Sequence, residues 1–344
     1  VGESFVYVTE TINRERECVR GLSLDDGKLV WKQEWAGALS VPFFAKANGD
    51  WIRSTPTLAA GRLLVAGIRD VLACFSASDG RELWRVDFPK ELGTKLPDFG
   101  CVCSPLVEGT SVYLQAGGGF AKLDMETGKL VWKCLDDGGG MYGSAFSSPQ
   151  WATLHGKKMI LVQTRQKLAA VDPETGKSLW EQAIQADRGM NILTPTPWND
   201  CVLTSSYGGK TWLFRTTPSD TGPWKVETVW ENKSQGYMSS PIVIGDHAYL
   251  HLRNQRLVCI DLRDGTQAWA TRPFGKYWSM VTNGQRIMAL DASGKLLLIT
   301  PDPSEFQLVE ERHISDQETW AHLAVVDSQI FIRHLGGIDV YDWS

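Results

Sequence analysis

Cationic side chains recur at one kind of place in this sequence, the short turn between two apolar runs: Arg14, Arg69, Arg165, Lys210 and Arg253. Gathered on one surface, such groups concentrate anions through their local field, whatever the sign of the total charge. A second set is aromatic and lies in the longer connections: Trp51, Phe99, Tyr142, Tyr237, Trp278 and Trp320. Rings at a rim anchor protein partners, and an exposed Trp or Tyr also stacks on sugar rings. The chemistry on offer is therefore recognition of an anionic or apolar partner.

Bond-making chemistry finds less support. His247 and His251 in "HAYLHL" share a strand face, but no third ligand accompanies them, and a zinc site normally needs three from the protein. Asp136 and Asp137 precede a triple glycine without the D-x-D-x-D-G series of a calcium loop. Ser144 stands outside any nucleophile-elbow pattern. The 7 cysteines contain no C-x-x-C pair, and their odd number leaves at least one thiol without an intrachain partner. Cys101 and Cys103 form a C-x-C pair on one strand, and Cys74 and Cys259 sit inside apolar runs, where a thiol behaves as a small hydrophobe. No catalytic residue and no metal ligand is assigned.

What must position the recognition residues is a repeat. "GLSLDDGKLVW" (21–31), "CFSASDGRELW" (74–84), "KLDMETGKLVW" (122–132), "AVDPETGKSLW" (170–180) and "CIDLRDGTQAW" (259–269) are versions of one phrase, and a sixth version, ending at Trp230, is expanded at its turn. The spacing of Trp31, Trp84, Trp132, Trp180, Trp230 and Trp269 matches propeller blades of ~40–50 residues. In the fullest copy Asp172 accepts from the turn backbone, Thr175 adds a hydroxyl, and Gly176 supplies the left-handed conformation that closes the hairpin. The Trp then falls on an outermost strand, where a large indole fills the wedge towards a neighbouring blade.

Upstream of these phrases Thr55-Pro56, Ser104-Pro105, Ser148-Pro149, Thr196-Pro197 and Ser240-Pro241 each open a short strand, the place a residue without an N–H belongs. Alternating runs such as "RLLVAG" and "VLACFS" supply two more strands, so each unit reads as four antiparallel strands, A to D. The chain is expected to be all-β, a single-domain eight-bladed propeller. Its blades lie near 1–35, 54–88, 103–135, 147–184, 194–232, 239–274, 278–314 and 319–344. The first lacks strand A, the last lacks strand D, and the seventh lacks the Trp, so the expectation is either that the native protein starts before Val1 or that the ring is closed imperfectly.

Composition agrees. Fifteen Trp and 33 Gly suit many short strands joined by turns and packed by large rings. With 43% hydrophobic and 22% charged residues the chain buries a core and carries no membrane-spanning segment. A net charge of −5 excludes a nucleic-acid binder held by overall positive charge.

The pattern A-x-D-x-x-T-G-x-x-x-W, complete at Ala170, Asp172, Thr175, Gly176 and Trp180 and partial around Trp31, Trp84, Trp132 and Trp269, resembles the tryptophan-docking motif of the pyrroloquinoline quinone (PQQ)-like repeat propellers. That resemblance spans essentially the whole chain and implies that these residues lock blades together. The family includes calcium- and quinone-dependent alcohol dehydrogenases and BamB-type lipoproteins that scaffold outer-membrane protein assembly. Against the dehydrogenases stand the shorter chain and the lack of an adjacent Cys-Cys pair.

The resemblance implies an extracytoplasmic, non-catalytic module engaging a protein or peptide through the face bearing the B-to-C turns and D-to-A loops. No cofactor is expected. The alternatives are a PQQ-dependent oxidoreductase with calcium or a quinone-binding relic, and recognition of a carbohydrate or another polymer; an anionic small molecule is a further candidate ligand.

Overall fold

Each apolar run pairs with its neighbour in sequence, because a short polar turn closes a hairpin at small entropic cost. The computed structural model describes residues 1–43, 51–143 and 146–343. Ser144 and the middle of the connection 36–54 lie outside the described residues. The protein is an all-β, eight-bladed propeller of consecutive antiparallel sheets. Six sheets have four strands; the sixth, for example, runs Ile242–Ile244, His247–His251, Leu257–Asp261 and Gln267–Ala270. The first (Phe5–Ile12, Arg16–Ser23, Leu29–Ala36) and the last (Ala324–Val326, Gln329–His334, Gly337–Asp342) have three, as the missing A and D strands require. After the second sheet the chain makes one helical turn, Phe88–Leu92, capped by the Asp87 carboxylate accepting from the Lys90 amide.

The repeated phrase is a latch between successive blades. The Trp31 indole lies against the turn glycine of the second blade, where a Cβ on Gly80 would meet the ring at 2.4 Å, and its Nε1–H donates to the Ala77 carbonyl at 3.2 Å. Trp84 lies against Gly128 in the same way and donates to Met125, and Trp230 lies against Gly265 and donates to Leu262. Trp132 covers Gly176. The turn glycine thus answers two demands, a positive φ (71° at Gly176) and a face bare enough to receive an indole. Within the turn Asp172 Oδ1 accepts from the amides of Glu174 and Thr175 and from the Thr175 hydroxyl.

A β-bulge aims the indole. In the first blade Gly21 faces Trp31 while Leu22 faces Leu29, so Val30 is left over. The same slip occurs before Trp84, Trp132, Trp230 and Trp269. An extra residue on the outer strand rotates the next side chain towards the adjoining sheet. The seventh blade keeps the bulge, but Glu310 occupies the tryptophan position, opposite Leu298. Its C-to-D turn still receives a latch, because Trp269 Nε1–H donates to Asp302 O at 2.9 Å.

The inner Ser-Pro and Thr-Pro pairs have a second use. Ser104 Oγ accepts from the Thr55 amide, Ser148 Oγ from the Ser104 amide and Ser240 Oγ from the Thr194 amide, each at 3.0 Å. These hydroxyls stitch the innermost strands together where the indoles latch the outermost.

The chain forms two compact units. One comprises Val1–Trp151, Lys158–Arg165 and Ala169–Glu181; the other comprises Ala152–Lys157, Gln166–Leu168 and Gln182–Ser344. The first buries Val19, Trp31, Trp35, Leu63, Val65 and Phe75 together, and the second buries Leu213, Trp230, Leu250, Val258 and Ile260. Among the described residues no helix is long and apolar enough to cross a membrane.

Candidate functional site

In the second unit the turns and loops of blades five to seven collect aromatic rings. Tyr207 enters from the B-to-C turn of the fifth blade, which Gly208 (φ 72°) closes and which the Asp187 amide fastens by donating to Tyr207 O. Tyr237 comes from the connection into the sixth blade, held where the Arg253 amide donates to Gln235 O and the Gly236 amide to Ser205 Oγ, both at 2.8 Å. Tyr277 comes from the next connection with φ 56°, a left-handed conformation that costs a bulky residue about 1–3 kcal/mol. The ring centroids form an unbroken run: Tyr207 to Tyr237 at 4.7 Å, Tyr237 to Tyr277 at 5.9 Å, and Tyr277 to Trp320 at 4.6 Å.

A cleft of about 250 Å³ opens beside these rings. The Arg253 guanidinium lies 4.4 Å over the Tyr207 ring, a cation–π contact that leaves its charge at the surface. Lys276 also lines the cleft, and Ser239 lies deep in it, 2% exposed, its Oγ without a hydrogen-bond partner. His251 supports the wall, stacked on Trp278 at 4.8 Å with its Nε2–H donating to Gly275 O at 3.0 Å. Burial pushes the His251 pKa down to about 4, so the imidazole is neutral at physiological pH.

Of the residues singled out in the sequence, Tyr237 and Arg253 line this cleft, and Trp320 joins the run of rings through Tyr277. Trp278 does not join them at the surface: it is 2% exposed and braces the site from beneath. Lys210 pairs with Glu231. In the other unit Arg14, Arg69, Trp51 and Tyr142 are exposed, but Phe99 and Arg165 are buried. Arg165 Nη1 donates to Met141 O at 2.6 Å, and its guanidinium lies 5.1 Å from the Phe99 ring and 4.9 Å from Phe146. Burial lowers its pKa to about 10. Arg165 and Phe99 thus hold two loops together instead of meeting solvent.

Two acids beside the cationic turns, Glu17 and Asp70, are internal as well. Glu17 accepts from the Ile68 amide at 2.6 Å and from Trp35 Nε1–H at 2.8 Å. Asp70 accepts from the Gly117 amide at 2.8 Å.

Tyr207, Ser239 and Lys276 were not singled out in the sequence. Their signals were faint: a tyrosine before a glycine pair in "SSYGGK", and a lysine beside the aromatic pair of "GKYW".

A quinone with calcium needs a group of acidic ligands, and among the described residues no three His, Cys, Asp or Glu side chains come together. Asp137 Oδ1 accepts from the Gly139 amide and Asp136 pairs with Lys133, so the acid pair serves its own loop. The described residues therefore offer no donor set that fits the calcium of such a cofactor. The cysteines form no disulfide among the described residues, and only Cys134 reaches the half-buried range.

A family model described as outer membrane protein assembly factor BamB matches residues 15–271. The outer membrane protein assembly factor BamB of Shewanella oneidensis is 23% identical over 219 residues, covering 61% of this chain and 50% of that protein. The chain spans about half the length of the curated relatives it matches. Among solved structures, BamB from Moraxella catarrhalis superposes with a TM-score of 0.65 at 16% identity, covering 98% of this chain and 96% of the other. The quinohemoprotein alcohol dehydrogenase from Comamonas testosteroni gives 0.61 at 14% identity, covering 96% and 69%. At such identities both likenesses concern the fold.

Proposed function

This chain belongs to the family of the outer membrane protein assembly factor BamB, and we propose that it is a non-catalytic scaffold that engages a protein partner through the loops carrying Tyr207, Tyr237, Tyr277 and Trp320. The observation that carries the reading is the continuous run of four rings on connections that the propeller does not need for its own latches. Rings held in place by neighbours lose little freedom on binding and supply much contact area, which is why such residues dominate interface energetics. The reading places the protein outside the cytoplasm, in the assembly of outer-membrane proteins, with one propeller domain as the working unit.

The test is site-specific photo-crosslinking in cells. A photoreactive residue at Tyr237 or Trp320 is expected to capture a component of outer-membrane protein assembly, identified by mass spectrometry, while the same residue at Lys177, on a C-to-D turn, captures none. Equal capture from both positions, or capture from Lys177 alone, would overturn the assignment of the face.

A further inference from the structure

The cleft beside Tyr237 is electrostatically unlike the chain around it. The protein carries a net charge of −5, yet Arg253 and Lys276 line this cleft and no described Asp or Glu does. Glu318 is near enough to add to burial in raising the Tyr277 pKa, but it is not part of the lining. Deep in the cleft the Ser239 hydroxyl is buried with no partner, and a buried donor without an acceptor is unfavourable until something accepts from it. Two cations and an idle hydroxyl, with three tyrosines in the lining, form a receptor for a carboxylate.

The size and surroundings restrict what carries that carboxylate. A volume of about 250 Å³ lies below the 300–1,000 Å³ usual for small-molecule sites and suits one side chain. Across Leu252 and Arg253 lies a second depression of about 470 Å³, lined by Asn232, Gln235 and Asn254 among others. An extended chain crossing Arg253 would place one side chain in the tyrosine cleft and offer its backbone to the amide side chains beyond. We propose that this cleft binds an acidic side chain of an extended partner segment, flanked by apolar residues, through Arg253, Lys276 and Ser239. The proposal rests on the scaffold reading and names the chemistry of the partner.

Methyl chemical-shift titration of the full chain, observing Met238 and Leu252, tests it with a capped Phe-Asp-Phe peptide against its Phe-Asn-Phe counterpart. A charge-assisted hydrogen bond contributes about 1.5–3 kcal/mol, so the aspartate peptide should bind on the order of tenfold or more tightly, and Arg253→Gln should remove that preference. Ser239→Ala should weaken the aspartate peptide alone. Arg263→Gln, on the exposed C-to-D turn of the same blade, should change nothing. Equal affinity for the two peptides, or an aspartate preference that survives Arg253→Gln, would overturn the proposal, as would perturbation by glucuronate but by neither peptide. If photo-crosslinks from Tyr237 persist in Arg253→Gln while the peptides do not discriminate, the scaffold reading stands and the carboxylate site falls. Loss of crosslinks throughout removes both.

Discussion

Gly61 and Gly80 lie in the same blade with φ values of 71° and 72°, yet a Cβ on Gly61 would meet nothing within 4 Å, whereas one on Gly80 would press on the Trp31 indole at 2.4 Å. Alanine at either position pays the same left-handed penalty, about 1–2 kcal/mol. At Gly80 it also displaces a packed ring, and overpacking of this kind adds about 1–3 kcal/mol. Gly61→Ala should therefore destabilise by about 1–2 kcal/mol and Gly80→Ala by about 2–5 kcal/mol. Trp31→Ala alone should cost about 3–5 kcal/mol, and in that background Gly80→Ala should fall back to the cost of Gly61→Ala, a coupling of about 1–3 kcal/mol. Urea unfolding of the four variants, followed by far-UV circular dichroism, reads all of these differences. Equal costs at the two glycines, or additive effects of Trp31→Ala and Gly80→Ala, would refute the claim that the turn glycine is a seat for the indole.

Three further outcomes are expected. Desolvation, reinforced by Asp137 and Asp87, raises the Asp70 pKa from an ordinary 3.8 to about 7, so its contribution is full below pH 4 and is lost as pH rises through 7; Asp70→Asn should abolish that fall between pH 4 and 8 in parallel unfolding curves. Burial pushes the thiols of Cys18 and Cys74 up to about 11 and that of Cys103 to about 12, so under native conditions a thiol reagent should titrate Cys134 at most, and all seven after unfolding; several rapid native reactions would contradict the burial. Calorimetry should show one cooperative transition if the chain is a single domain; two resolved transitions would divide it.

The propeller was legible because its determinants are local and repeated: a glycine turn, a tryptophan four residues on, and a serine or threonine before proline. The bulge that aims the indole was not, since pairing register arises from both strands and not from the outer one alone. The hydroxyl stitches were likewise invisible, because Ser104 and Ser148 read as strand starts and their partners lie in the preceding blade. The cleft was half legible. Tyr237, Arg253 and Trp320 stand out as large residues in loops, but Tyr207 lies 70 positions from Tyr277, and only the stacking of blades brings their turns together. Arg165 looked like a surface cation because it sits at a turn; packing against Phe99 and Phe146 takes it inside.

Glu310 in the tryptophan position of the seventh blade has a consequence for how the last joint is held. At the earlier joints Trp31, Trp84, Trp132 and Trp230 lean forward onto the turn of the next blade. At the seventh joint Glu310 pairs with Arg312 within its own strand, and the indole present comes from the opposite direction: Trp343, after the eighth blade, lies under the Arg312 guanidinium at 4.3 Å. The rest of that joint combines the apolar contacts of Leu290, Leu296, Leu323 and Ile330 with hydrogen bonds in which the Leu323 amide donates to Ser279 Oγ and the Tyr341 hydroxyl to Ile314 O. The succession of forward clasps thus ends in one that faces backward, where hydrogen bonds and aliphatic packing take over the work that a seated indole does at the earlier joints.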